Sequence, residues 1–195
     1  MSGGTLNYLP RLDWLANTGH NIYTQFGEDG LLSAVMQRIG TTCRQCFEIG
    51  ASDGRFYSNT LQWRQDGWYA VLLEADRPAY DKLVAEFGTE SDCIFGNVFD
   101  LDEALETTKL SHRPDFGVID IDGQDYWLWH DMVLYRPRVM LVEIAVRDTE
   151  AAIPERLGPG QAGLNAVQEL GYSKGYELVA TTHCNALFVD RECLN

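Results

Sequence analysis

Positive charge is scarce in this chain. Its 195 residues carry 15 Lys and Arg against 29 Asp and Glu, a net charge of −14. A nucleic-acid backbone or an anionic membrane needs a basic footprint. Neither is therefore expected as the main partner, and the nearest thing to a basic patch is Arg136-Pro137-Arg138. Long apolar runs are missing too. None approaches the roughly 20 residues of a membrane span, and the start, Met1-Ser2-Gly3-Gly4, has neither the charged nor the apolar region of a leader. A cytoplasmic location is expected. The five cysteines (43, 46, 93, 184, 193) are an odd number, and reduced thiols are expected there. Cys43 and Cys46 form a C-x-x-C, but no second C-x-x-C and no H-x-x-x-H completes a zinc site. There is no internal repeat and no low-complexity tract.

What is present is an alternation of short apolar runs with amphipathic stretches. Hydrophobic residues make up 45% of the chain, enough for one full α/β core. The runs predict strands at 45–50, 69–75, 92–98, 116–121, 138–144, 176–182 and 185–191. Helices are predicted at 28–39, 58–66, 78–87, 101–109, 125–135 and 163–171, with Asp76 and Asp100 as starts and Gly88, Gly171 and Gly175 as stops. Strand–helix alternation means a parallel sheet with right-handed crossovers. The last two runs break that rule, because only His183 and Cys184 separate them. Strands that close must be antiparallel. The expected fold is a seven-stranded, mostly parallel sheet with helices on both faces and an antiparallel C-terminal hairpin strand. Residues 21–195 are read as this domain and 1–20 as an apolar arm containing Leu6, Tyr8, Leu9, Leu12, Trp14 and Leu15. Residues 147–162 form the longest predicted loop, a candidate lid.

The first predicted strand ends in Glu48-Ile49-Gly50-Ala51-Ser52-Asp53-Gly54, and the second ends in Glu74. Glycines at such a turn let the backbone approach a ligand, and an acid at the next strand tip takes the two ribose hydroxyls. The turn does not read G-x-G-x-x-G and no Walker lysine follows it. A dinucleotide or triphosphate is thereby disfavoured. S-adenosylmethionine (SAM), which has ribose and adenine but no phosphate, fits better. A seven-stranded sheet with one reversed strand points the same way.

Several motifs together resemble the FkbM-type SAM-dependent methyltransferases. They are Gln25-Phe26-Gly27-Glu28-Asp29-Gly30, Phe47 to Gly54 with Ser58-Asn59-Thr60, and Leu73-Glu74-Ala75-Asp76. Ile119 to Trp127, Arg136-Pro137-Arg138 with Leu141-Val142-Glu143, and Gly175 to Val179 with Asn185 to Val189 complete the set. The resemblance spans residues 20–190. It implies a SAM site built from Glu48, Gly50, the turn through Ser52 and Asp53 to Gly54, and Glu74. It also implies Asn97 and Val98 beside the adenine, Asp120 facing the methionine end or the acceptor, and Gln25 over the methionine end. Ser52 replaces the usual middle glycine, and Ile144-Ala145-Val146-Arg147 lacks the Tyr-Asn of closer relatives.

Each of these residues also has a plainer reading. Glu74 could cap the following helix, Asp53 could be a turn aspartate, and Asn97 and Val98 could be an ordinary strand end. Asp120, Asp122 and Asp125 form the sharpest acidic cluster. Three roles compete: a divalent metal held by Asp120 and Asp122, Asp122 as general base with Asp120 near the SAM ammonium, or helix capping by Asp125. His130, one turn into that helix, is the second candidate base. The function expected is methyl transfer to a hydroxyl of a small molecule or saccharide. The alternative is a non-catalytic protein of the same fold that binds a nucleoside or a partner.

Overall fold

In a computed structural model the protein is described for residues 12–145 and 152–194. Leu6, Tyr8 and Leu9 of the arm, and Val146 and Arg147, lie outside the described residues. Seven strands form one sheet: β1 Gln45–Ile49, β2 Tyr69–Glu74, β3 Asp92–Phe95, β4 Phe116–Ile119, β5 Val139–Glu143, β6 Tyr176–Thr181 and β7 Asn185–Asp190. Their order is β3-β2-β1-β4-β5-β7-β6. The pairs among β1 to β5 are parallel, and β7 runs antiparallel between β5 and β6. The expected sheet is therefore the observed one.

Alternate strand residues feed two cores, one on each face. Cys46, Leu72, Val118 and Leu141 point to the side covered by α1 (Glu28–Ile39), α2 (Leu61–Gln65) and α3 (Arg77–Phe87). Phe47, Val71, Ile119 and Val142 point to the side covered by α4 (Leu101–Glu106), α5 (Asp125–Asp131) and α6 (Leu164–Ser173). A register shift between Leu178 and Ala180 lets Val179 and Ala180 both join the first core. Leu15 is buried at the edge of that core, with Leu12 and Trp14 against it.

Several predicted boundaries are corrected. The second helix begins at Leu61 rather than 58, because Glu48 collects Ser58, Asn59 and Thr60 before the first turn. The fifth stops at Asp131 rather than 135, because the Asp102 carboxylate draws in the amides of Val133, Leu134 and Tyr135. Gly171 does not stop a helix; it lies inside α6, where a Cβ would stand 2.6 Å from the Phe188 ring and 3.0 Å from Trp129. Asp76 and Asp100 cap α3 and α4 as expected, accepting from Ala79 and Glu103 at 2.9 and 3.0 Å.

Candidate active site

A cavity of 720 Å³ opens at the carboxyl ends of β1, β2 and β4. This is where the strand order reverses, the usual ligand position in an open α/β sheet. Gly50 makes the junction possible. Its φ is +83°, and a Cβ there would sit 1.8 Å from the Asp120 carbonyl oxygen. Gly50 and Ala51 donate to the Leu73 carbonyl at 3.0 and 2.9 Å, which draws the turn onto the end of β2.

Glu74 faces this cavity at the tip of β2. Its Oε2 accepts from the Ser52 amide at 2.6 Å and its Oε1 from the Asp76 amide at 2.7 Å. These bonds fix the carboxylate and leave each oxygen a further lone pair for a ligand donor. Ala75, Asn97, Val98 and Phe99 continue the wall beyond it. Phe99 is exposed at the rim of the cavity.

Carboxylates make the floor. Asp120 is half-buried with Glu143 as its hydrogen-bonded neighbour, and burial together with the charges of Glu143, Asp125 and Glu48 pushes its proton affinity well up. Burial also raises that of Glu143. The pair therefore keeps a proton between its two carboxyls. Asp125 accepts from the amides of Ile121 and Gly123 at 2.9 and 3.0 Å, while burial and Glu143 raise its pKa to about 7. Those bonds, with Asp122 N–H to Glu143 at 2.9 Å, hold Asp122 in a left-handed conformation at φ +58° with its side chain exposed at the cavity.

The structure thus gathers Gly50, Ser52, Glu74, Asn97, Val98, Asp120 and Asp122 around one space. Five expected residues lie elsewhere. Both oxygens of the buried Glu48 are taken by Ser58, Asn59 and Thr60, with Ser58 Oγ and the Asn59 amide each at 2.7 Å. Asp53 accepts from the amides of Arg55 and Phe56 at 2.9 and 2.8 Å, a turn aspartate. Gly54 closes the turn away from the cavity, packed on Leu83 and Phe87. Gln25 is exposed and its carbonyl accepts from Asn21. His130 is exposed, and its Nδ1 lies 2.6 Å from Asp131 rather than on the floor. Among the described residues no group of three or more His, Cys, Asp or Glu is arranged to hold a metal ion.

Sequence reasoning named 147–162 as a candidate lid but missed the helix face that meets it. Gln124, Trp127 and Asp131 form the outer wall together with Arg156, Leu157 and Gly158 of that loop. The signal was available as a helical stripe at 124, 127 and 131 beside a long glycine-containing loop. Of the nearby aromatic side chains, Trp129 and Tyr135 are buried, but Trp127 faces the cavity.

No family model matches the chain, and no curated protein matches it in sequence. Solved structures do match in shape. The chain is similar to the O-methyltransferase from Bacillus cereus in complex with SAH, the demethylated form of SAM (18% identity, TM-score 0.51, covering 80% of this chain and 77% of that one). It is similar to cofactor-bound Rv0187 from MTB (17% identity, TM-score 0.56, 84% and 79%). A third is the N-terminal domain of human METTL16 in complex with SAH (16% identity, TM-score 0.53, 83% and 68%). The fold is that of the class I methyltransferases. At these identities the shared property is the fold; the cavity of this chain lies at the strand ends where open α/β sheets generally bind ligands. Among the described residues no helix is long and apolar enough to cross a membrane.

Proposed function

We propose that this chain is a SAM-dependent methyltransferase of the FkbM type, acting on a hydroxyl oxygen of a small molecule or saccharide. The observation that carries the reading is the pairing of Gly50 and Glu74 at adjacent strand tips around one cavity whose lining, among the described residues, holds four carboxylates and a single cation, Arg156. Such a wall repels phosphates and suits a nucleoside with a positive sulfur. That three solved neighbours hold SAH or a cofactor supports the choice of ligand.

Glu74 would take the ribose hydroxyls, Val98 and Phe99 would cover the adenine, and Gly50 would let the ligand's chain pass over the turn. Asp120 would face the cationic end. SAM, when bound, supplies a methyl group on a cationic sulfur that needs little further activation. The chain's own part is then positioning and proton removal. Asp122 projects from the strained β4–α5 turn at the acceptor side, where its carboxylate can take a hydroxyl proton. His130 contributes only through Asp131 in this arrangement. No step is assigned to a metal.

Calorimetric titration with SAM, SAH and NAD tests the ligand: micromolar binding of SAM and SAH without NAD is expected. Transfer of a labelled methyl group into a small-molecule and glycan pool tests turnover and should persist in EDTA. Binding of NAD in place of SAH would overturn the reading. Binding of SAH without transfer to any acceptor would leave a non-catalytic nucleoside-binding protein.

A further inference from the structure

The loop at 154–158 does not merely pass the cavity; α5 grips it. The Gln124 side chain bonds three backbone groups of the loop: Nε2 donates to the carbonyls of Glu155 and Gly158 at 3.3 and 2.8 Å, and Oε1 accepts from the Leu157 amide at 2.8 Å. One turn on, Trp127 Nε1 donates to the Pro154 carbonyl at 2.8 Å. One turn further, Asp131 receives both terminal nitrogens of Arg156, the second at 2.9 Å. The Arg156 guanidinium lies 4.1 Å from the Trp127 ring centroid. The donors and acceptors sit at 124, 127 and 131, so one helix face reads the loop from end to end.

Every residue of this grip except Pro154 and Glu155 also lines the cavity. The loop is therefore its outer wall. The wall carries the features of a movable part. Leu157 is 72% exposed and held at φ +60°. Gly160 follows at φ +101° with nothing within 4 Å of a Cβ placed there. A strained residue beside an unhindered glycine is where a hinge costs least. The attachments are polar and peripheral, and the Arg156–Asp131 pair stands in solvent, with 53% and 35% of the two side chains exposed. Such contacts break and re-form without exposing a core.

We propose that the 154–158 loop is a gate over the cavity and that Gln124 is the positioning residue that sets its closed state. The proposal rests on the nucleoside reading given above, since it names that ligand as what the gate admits and releases. A gate changes how fast a ligand enters and leaves more than how tightly it is held.

The test is stopped-flow binding of SAH to the full chain, followed by intrinsic tryptophan fluorescence. Gln124→Ala removes three hydrogen bonds, so opening becomes easier by about a hundredfold. Association and dissociation rates should rise together by about that factor while Kd stays within about twofold. Gln124→Glu keeps the shape and the acceptor for Leu157 but sets oxygens against two carbonyls; it should behave alike and controls for lost packing. A rise in dissociation alone would make the loop a ligand contact and overturn the gate. Unchanged rates in both variants would overturn it as well. If the wild-type chain binds no SAH, the nucleoside reading fails and the gate falls with it; if it binds with rates indifferent to Gln124, only the gate fails.

Discussion

Two acids flank β4, five residues apart, and they live in opposite circumstances. Asp115, before the strand, is fully buried and saturated. It accepts from Thr42 N and Oγ1, Cys43 N and Arg44 N at 2.7 to 3.1 Å, and from Arg138 at 2.8 Å. Burial alone would raise its proton affinity, but Arg138 and the amides carry it below the ordinary value. Asp120, after the strand, has its proton affinity raised by burial and by the neighbouring acids Glu143, Asp125 and Glu48. The same residue type thus ties the chain together at one end of the sheet and, at the other, is neutralised by a proton rather than by a cation. A carboxylate already given a cation and four further donors has nothing left to offer a ligand. One without them is stabilised by whatever cation arrives.

The largest effect that would sharpen this contrast is expected from Asp115→Ala. Leaving Arg138 buried without its partner should cost about 3–5 kcal/mol, seen as a lower urea midpoint, with SAH affinity unchanged in the protein that remains folded. A stability like that of the wild type would show the pair to be dispensable. Glu74→Gln is next. It keeps the side chain's size but loses the charge-assisted bonds to a diol, and SAH affinity should fall by about 10- to 100-fold. Its amide nitrogen must face the N–H of Ser52 or of Asp76, so stability should also fall, by about 1 kcal/mol; calorimetry that finds wild-type affinity would remove Glu74 from the ribose.

The two acids also predict opposite responses to pH. Asp115 is held below its unfolded value, so its contribution is present above about pH 4 and is lost as pH falls through the native value. Asp120 is held above it. Its neutral form belongs to the folded state, so that contribution is full below about pH 4 and declines as pH rises toward the raised native value. Between pH 7 and 9, above the value near 7 to which Asp125 is raised, stability should therefore fall with pH on account of Asp120 by at most about 1.4 kcal/mol per unit. Asp120→Asn should flatten that slope and raise the melting temperature by a few degrees at pH 8, each kcal/mol being about 2–4 °C for a chain of this size. A slope that survives the substitution would place the uptake of protons elsewhere.

Sequence made the sheet readable because its strands are continuous apolar runs buried on both faces. Val139 to Val142, for instance, all lie at 1% exposure or less. It made half the site readable because glycine turns and strand-tip acids have few other uses. It did not separate Glu48 from Glu74. Both end apolar runs, but Glu48 points to the face where Ser58, Asn59 and Thr60 wait for it. That choice is made by a segment ten residues away and by which face α2 covers. The Asp120–Glu143 pair was hidden for the same reason. It follows from the parallel register that aligns Ile119 with Val142, which sequence alone does not fix. The grip of α5 on the loop depends on loop backbone groups, which have no signature in residue type.

The smallest predicted change in stability is the one that most directly tests the cavity end of the sheet. Asp122 is held at φ +58°, where an L-residue is strained and glycine is not. Asp122→Gly should leave the urea midpoint the same or raise it by up to about 1 kcal/mol in stability. If its carboxylate takes the acceptor's proton, methyl transfer should nonetheless fall by about 10²-fold or more, with SAH affinity held. A residue whose removal leaves the fold intact but stops transfer would be explained by what it does to a ligand. Full turnover in that variant would return Asp122 to the status of an ordinary turn residue and move the proton acceptor to another group in the cavity.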